Sequence, residues 1–346
     1  MSGSTEGQQH TLPRHKPLSG LLVLFGGIIL LLFSIGLSVS VGAANIKLSA
    51  VWDAIIHYQP TLTDHQIIVD MRLPRALAAA LIGAGLAVAG AIMQGMTRNP
   101  MADSGLLGLN SGAGLAIAIC YALFPGISFM NTMFYSFAGA AVGALLVFGI
   151  GFMSRGGMTP VRLTLAGAAV SMLLVALAEG IAIRFRVGQD LAFWYAGAVK
   201  GTTWVQINAV YPWILVGLLA AIGLSKSISL LSLGDEVAAG LGLKTGWIKA
   251  ISMLVVLILA GSSVSLVGAI GFVGLLVPHI ARFLVGVDYR WVIPSSAVLG
   301  SLLLVYGDIL ARLIHPPHEE PIGALIALIG VPFFLYLALK QRGGQE

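Results

Sequence analysis

Ten continuous apolar runs organise the chain, at about residues 18–41, 76–96, 105–124, 132–153, 161–183, 205–224, 247–266, 267–286, 291–313 and 322–339. A helix needs about 20 mostly apolar residues to cross the hydrocarbon core of a bilayer. Lipid offers no hydrogen-bond partner to an exposed backbone amide, so helices and closed barrels are the two structures that span it. The runs are continuous and not alternating, which argues against a strand barrel. The seventh and eighth runs are contiguous: a tight turn near residues 265–268 gives ten crossings, and a single crossing there gives nine. The expected fold is therefore an all-α polytopic membrane protein of about ten transmembrane helices. A polar tail at 1–17, a transmembrane domain at 18–340 and a short tail at 341–346 complete the expected organisation. The first run is too long for a signal-peptide core and reads as a retained span.

Composition agrees. The chain is 58% apolar and 10% charged, against about 45–50% and about 25% for ordinary soluble domains, and a disordered chain is more polar still. Glycine is also in excess, at 44 of 346 residues, nearly twice the usual share of about 7%. Gly83, Ala87, Ala91 and Gly95 recur every fourth residue, as do Gly139 and Gly143; small residues at that spacing let helix backbones approach closely in lipid.

Charge sets an orientation. With ten crossings and cytoplasmic termini, 12 of the 19 basic residues fall on the inner side, as the positive-inside rule requires. Arg72, Arg75 and Arg312 are exceptions that face outward. The net charge of +5 comes without any basic cluster, so nucleic acid is not an expected partner. Cys120 is the only cysteine, so the chain holds no internal disulfide and no cysteine metal site.

Enzymatic motifs are missing. The run Gly240 to Thr245 lacks the Gly-x4-Gly-Lys-Ser/Thr spacing of a phosphate loop, and there is no Gly-x-Ser-x-Gly or His-Glu-x-x-His. A membrane-embedded enzyme therefore has no catalytic cluster here. An ion-coupled secondary carrier needs buried ionisable groups, and the spans offer few. Glu179 and Asp308 read as locally paired with the nearby Arg184 and Arg312, and His315 and His318 lack further ligands for a metal site. The polar stretch 232–242 reads as a short amphipathic helix outside the bilayer, opened by Ser232 and Asp235 as an acidic capping box. Leu233, Val237 and Leu241 share one of its faces, and Gly240 and Gly242 end it.

Several motifs, in order, carry a family resemblance: Met71-Arg-Leu-Pro-Arg75, Gly90-Ala-Ile-Met-Gln94, Asn99-Pro-Met-Ala-Asp-Ser-Gly-Leu-Leu-Gly108, Leu233 to Gly242, Gly268 to Arg282, and Pro321-Ile-Gly323. Together they resemble the permease subunits of type II ABC importers for ferric siderophores, haem and vitamin B12. The resemblance implies a permease in the cytoplasmic membrane of a bacterium that carries a ferric siderophore, with haem or vitamin B12 as alternatives. It implies pairing with a second permease subunit around a central pathway, two ATPase subunits inside and an extracytoplasmic substrate-binding protein outside. ATP and Mg would belong to the ATPase, with no cofactor and no metal on this chain. By the same resemblance Arg72, Arg75 and Arg312 would dock the binding protein. Asn99, Pro100, Met101, Thr159 and Pro160 would form the cytoplasmic gate, and residues 190–201 an outer gating half-helix. Within coupling helices at 228–246, Asp235, Glu236, Ala239, Leu241 and Gly242 would engage the ATPase.

Overall fold

The structure, a computed structural model, describes residues 17–42, 48–153, 160–316 and 318–342. Among these every regular element is helical: α1 (Pro17–Ser40), α2 (Leu48–Ile56), α3 (Thr63–Gln66), a π-helical turn (Ile67–Arg72), α4 (Leu73–Thr97), a 3-10 turn (Ser104–Leu107), α5 (Leu109–Leu123), α6 (Phe129–Met153) and α7 (Pro160–Phe185). There follow α8 (Gly188–Ala196), α9 (Trp204–Ser232), α10 (Asp235–Gly240), α11 (Thr245–Val267), α12 (Val273–Val285), α13 (Tyr289–Leu313) and α14 (Ile322–Arg342). Seven helices are long and apolar enough to cross a membrane, and three shorter apolar helices, α5, α12 and α14, bring the apolar set to ten. The contiguous seventh and eighth runs divide at Gly268, whose φ of 78° ends α11. The second run is longer than its apolar core, beginning at Thr63 and passing through the π turn into α4.

At the centre stands α4, packed on α9, α11, α12 and α13 and buried along almost its whole length. Its glycines explain how so many neighbours fit. A methyl group added at Gly83 would overlap the backbone of Gly300 on α13, and one at Gly90 would overlap the backbone of Gly274 on α12. A second small-residue contact joins α5 and α6, where Gly112 meets Gly139 and Gly108 meets Gly143. The spacing at Gly83, Gly139 and Gly143 is thus a packing signal. Without a hydrophobic force between helices in lipid, this close backbone approach and the dispersion contacts around it hold the bundle.

Directions follow from the contacts. α1 runs parallel to α13, Gly27 against Val298, Ser34 against Tyr306 and Ser38 against Arg312. α4 runs antiparallel to α13, from Arg75 beside Asp308 to Gly95 beside Tyr289. One end of the bundle therefore carries residues 98–103, α10 and residues 286–288. The opposite end carries the π turn, α8 and the connection after α13.

These contacts predict that Gly90→Val will force α4 and α12 apart at a backbone-to-backbone crossing. Overpacking of this kind costs about 1–3 kcal/mol or more, read as a lowered unfolding temperature in detergent. Gly149→Ala, whose added methyl meets open space, should leave it unchanged.

Candidate functional site

At the end carrying α8, four cations and two carboxylates meet. Asp308, fully buried on α13, accepts from Arg75 Nε at 2.8 Å and lies 2.9 Å from Arg312 Nη2, at ion-pair distance. Arg312 is held on several sides: Nη1 donates to the carbonyls of Ser38 and Val41, Nη2 donates to Ser38 Oγ, and Nε reaches the carbonyl of Asp308. Four of the five N–H donors of its guanidinium are thus engaged. Arg72 donates to the carbonyls of Val39 and Ser40, which ties the π turn to the end of α1. Arg75 spends Nη1 on both oxygens of Glu319, at 2.9 and 3.0 Å, and Lys200 Nζ stands 3.7 Å from the same carboxylate. Arg72, Arg75 and Arg312 thus come together at one end of the bundle. Each is braced internally, Arg312 most completely.

Beside this cluster, α8 lies across the ends of its neighbours. Ala198 N donates to the Val267 carbonyl, Gly323 N to that of Gly197, and the Trp194 carbonyl sits where a side chain on Gly268 would go. A cavity of about 720 Å³ opens between α8 and the ends of α5, α6, α7 and α11, lined by Tyr121, Phe129, Phe185, Asp190, Phe193 and Trp194 among others. The stretch 190–201, expected as a half-helix, holds most of α8, which runs from Gly188 to Ala196, and then a non-helical connection that leads to α9 at Trp204. Glu179 departs from its expected pairing. It is exposed on α7 without a salt bridge among the described residues, and Arg184 packs over the ring of Phe185 instead.

At the opposite end, Arg98 closes α4 in a left-handed conformation, φ 54°. Asn99 Oδ1 then accepts from Met101 N at 2.9 Å, so Asn99, Pro100 and Met101 form a side-chain-locked turn. Asp103 caps the 3-10 turn through Gly105 N, and one of its oxygens fills the space beside Gly274. Burial pushes its carboxyl above the usual range, against the pull of the Gly105 and Ser104 amides. Asn99, Leu163 and Thr164 line one small void, which places the turn against the start of α7. Pro160 is the first residue of α7, and Thr159 lies outside the described residues.

The short helix of the sequence reading is α10, one turn and a half from Asp235 to Gly240. Its start differs from the expected capping box. Gly234, at φ 123°, is the residue before the helix, and Ser232 donates its hydroxyl to the Ser229 carbonyl within α9. The reason is local: α9 continues to Ser232, so that side chain is inside a helix, where back-bonding to the preceding turn competes with capping. The other end is as read. Leu243 N bonds the Ala238 carbonyl and Gly242 N that of Ala239, with Gly242 at φ 85°, a Schellman ending. Ala238 is buried, whereas Glu236, Ala239, Gly242 and the apolar Leu233, Val237, Leu241 and Trp247 are exposed. Asp235 is half-buried and held by Lys249 at 2.7 Å. An exposed apolar patch rimmed by charge marks a partner surface. Behind it, Ser229 bonds Asp288 and the Tyr289 amide, bracing α9 against the start of α13. Burial opposes ionisation of Asp288, but the bonds from Arg290 and Ser229 prevail and hold its carboxyl below the usual range.

Glu319 and Lys200 escaped the sequence reading. Glu319 lies 244 residues from Arg75, and no spacing rule connects positions so distant. Its place beside the prolines after α13 was the one available signal.

Residues 30–340 match the FecCD transport family. The chain is 55% identical over 329 residues to the iron(3+)-hydroxamate import system permease protein FhuB of Bacillus subtilis, covering 95% of this chain and 86% of that protein. It is 39% identical to the ferric enterobactin transport system permease protein FepD of Escherichia coli, covering 92% and 96% of the two chains. Among solved structures it is similar to a metal-chelate type ABC transporter in an inward-facing conformation, with a TM-score of 0.81, 28% identity and coverage of 92% and 99%.

Replacing Asp308 by Asn keeps the shape of the outer cluster but leaves two guanidiniums without their shared charge. Breaking a buried pair costs about 3–5 kcal/mol, so a large drop in thermal stability in detergent is expected. Glu320→Gln, at an exposed carboxylate 3.8 Å from His315, should change it by no more than about 0.5 kcal/mol.

Proposed function

The chain belongs to the FecCD transport family and is a membrane-spanning, multi-pass permease of the bacterial ABC importer class, and from that premise we propose that it passes a ferric hydroxamate siderophore inward. The 55% identity to an iron(3+)-hydroxamate permease over nearly the whole chain supports that substrate class over haem or vitamin B12. Importers of this class work with ATPase and binding-protein partners. In our reading two ATPase subunits and a second permease, the same chain or a similar one, complete the assembly around a pathway between the permeases. The chelate travels whole, released by the binding protein and never held as bare metal by this chain.

The observation that carries the reading is the exposed face of α10. Leu233, Val237, Leu241 and Trp247 stand clear of the bundle, while the Schellman ending and the Asp235–Lys249 pair keep the short helix rigid. A rigid lever of this kind transmits a push. We place it in the cytoplasm, with both termini, by the excess of basic residues at that end. Glu236, Ala239, Leu241 and Gly242 then meet the ATPase, and Asp235 orients the helix from behind. The turn at Asn99, Pro100 and Met101, with Thr159 and Pro160 at the start of α7, serves as the inner gate, and α8 as the outer one.

The opposite end receives the binding protein. Arg72 and Arg75 offer cationic edges to carboxylates on its lobes, and Arg312 supports them from beneath. Charge pairs of this sort set register and encounter rate. Nucleotide chemistry stays on the ATPase, which binds ATP and Mg.

Reconstitution tests the reading. Vesicles containing the permease pair, the ATPase and the binding protein should take up radiolabelled ferric hydroxamate in the presence of ATP, and vesicles with this chain alone should not. Uptake by this chain alone under an ion gradient would overturn it. In the full assembly, the pair of substitutions Glu236→Ala and Leu241→Ala should lower substrate-stimulated ATP hydrolysis at least tenfold while binding-protein docking is retained.

A further inference from the structure

The two carboxylates of the outer cluster are held differently. Asp308 is fully buried and shared by Arg75 and Arg312, so its departure would strand two cations. Glu319 is the exchangeable one. Its side chain keeps 24% of its exposure, and it sits on the short connection between α13 and α14. Its partners are Arg75, which gives it a two-oxygen contact, and Lys200, itself 69% exposed. A cleft of about 370 Å³ opens directly on these groups, lined by Arg72, Arg75, Lys200, Thr202, Arg312 and Glu319 among others.

We propose that Glu319 is an internal stand-in for an acidic side chain of the docking partner, holding Arg75 and Lys200 while the mouth is empty and displaced when that acid arrives. The inference rests on the reading of this end as the binding-protein face. Exchange of one carboxylate for another keeps Arg75 paired throughout, so docking leaves neither this guanidinium nor the arriving acid without a counter-charge. It also has a mechanical effect. Lys200 lies on the connection between α8 and α9, and Gly197 in the same connection accepts from Gly323, just past Glu319. Moving Glu319 away from Lys200 therefore loosens the segment that anchors α8, so arrival of the partner is felt at the outer gate.

Removing the competitor should tighten docking. With the full transporter in nanodiscs and its binding protein loaded with ferric hydroxamate, Glu319→Gln should lower the docking Kd by about fivefold, as a competing pair worth about 1 kcal/mol dictates. Arg75→Ala should raise the Kd, and adding Glu319→Gln to Arg75→Ala should bring no tightening, because both act through one guanidinium. A second readout is independent of affinity. Acylation of Lys200 by a water-soluble succinimidyl ester, followed by mass spectrometry, should be faster in the undocked Glu319→Gln transporter than in the undocked parent. If Arg75→Ala weakens docking but Glu319→Gln leaves it unchanged or weaker, with Lys200 labelling unaltered, the stand-in role is overturned and the docking face stands. If Arg75→Ala leaves docking unchanged, the docking face itself is wrong.

Discussion

The bundle depends on backbone meeting backbone along α4. Gly83 against Gly300 and Gly90 against Gly274 bring three helices to distances that no side chain permits. In water such contacts would be secondary to burial of apolar surface, but lipid removes that driving force, so packing at short range carries the stability. Everything functional is referred to this axis. The upper turn of α4 aims Arg75 at Asp308, its lower end throws the chain into the Asn99 turn, and α12 and α13, locked on either side, bring up Asp103's seat and the outer carboxylate.

The two ends are built by opposite means. At the α10 end, apolar side chains stand exposed on and beside a helix held by its Schellman ending and the Asp235–Lys249 pair, a surface suited to a firm and lasting fit. At the α8 end, charges are gathered in a cleft and balanced against one another, a surface suited to an encounter that must form and dissolve each cycle. Hydrophobic contact is non-directional and slow to release, whereas charge pairing is oriented and sensitive to exchange.

Much of this was legible from the chain. Ten apolar runs became ten apolar helices, seven of them of crossing length, because the apolar character of a run is a local property, and the four-residue spacing at Gly83 and Gly139 marked real crossings. The end of α10 was readable because Gly242 supplies its own φ. What escaped had other causes. α2, at Leu48–Ile56, is amphipathic and short, with Trp52 and Ile56 exposed and Val51 and Ala54 buried, so no apolar run announces it. Ser232 was misassigned as a cap because the sequence does not say how far α9 extends. The grouping of Arg75 and Asp308 with Glu319 and Lys200 is a product of the fold, assembled from two helices and two connections, and beforehand only the arginines and the local pairing of Asp308 with Arg312 were legible.

The parallel pairing of α1 with α13 has a consequence in time. Ser34 finds Tyr306 at a separation of 272 residues, and Ser38 finds Arg312 at 274. At about 5–20 residues per second of synthesis, the first helix waits in the bilayer for tens of seconds before its partner is made. Ser38 and Val41 cannot receive Arg312 until the chain is nearly finished, and the brace on Arg72 and Arg75 waits with them. A chain stopped before α13 can have most of its helices and still lack this charge cluster, because Asp308, Arg312 and Glu319 are the last of its members to be made.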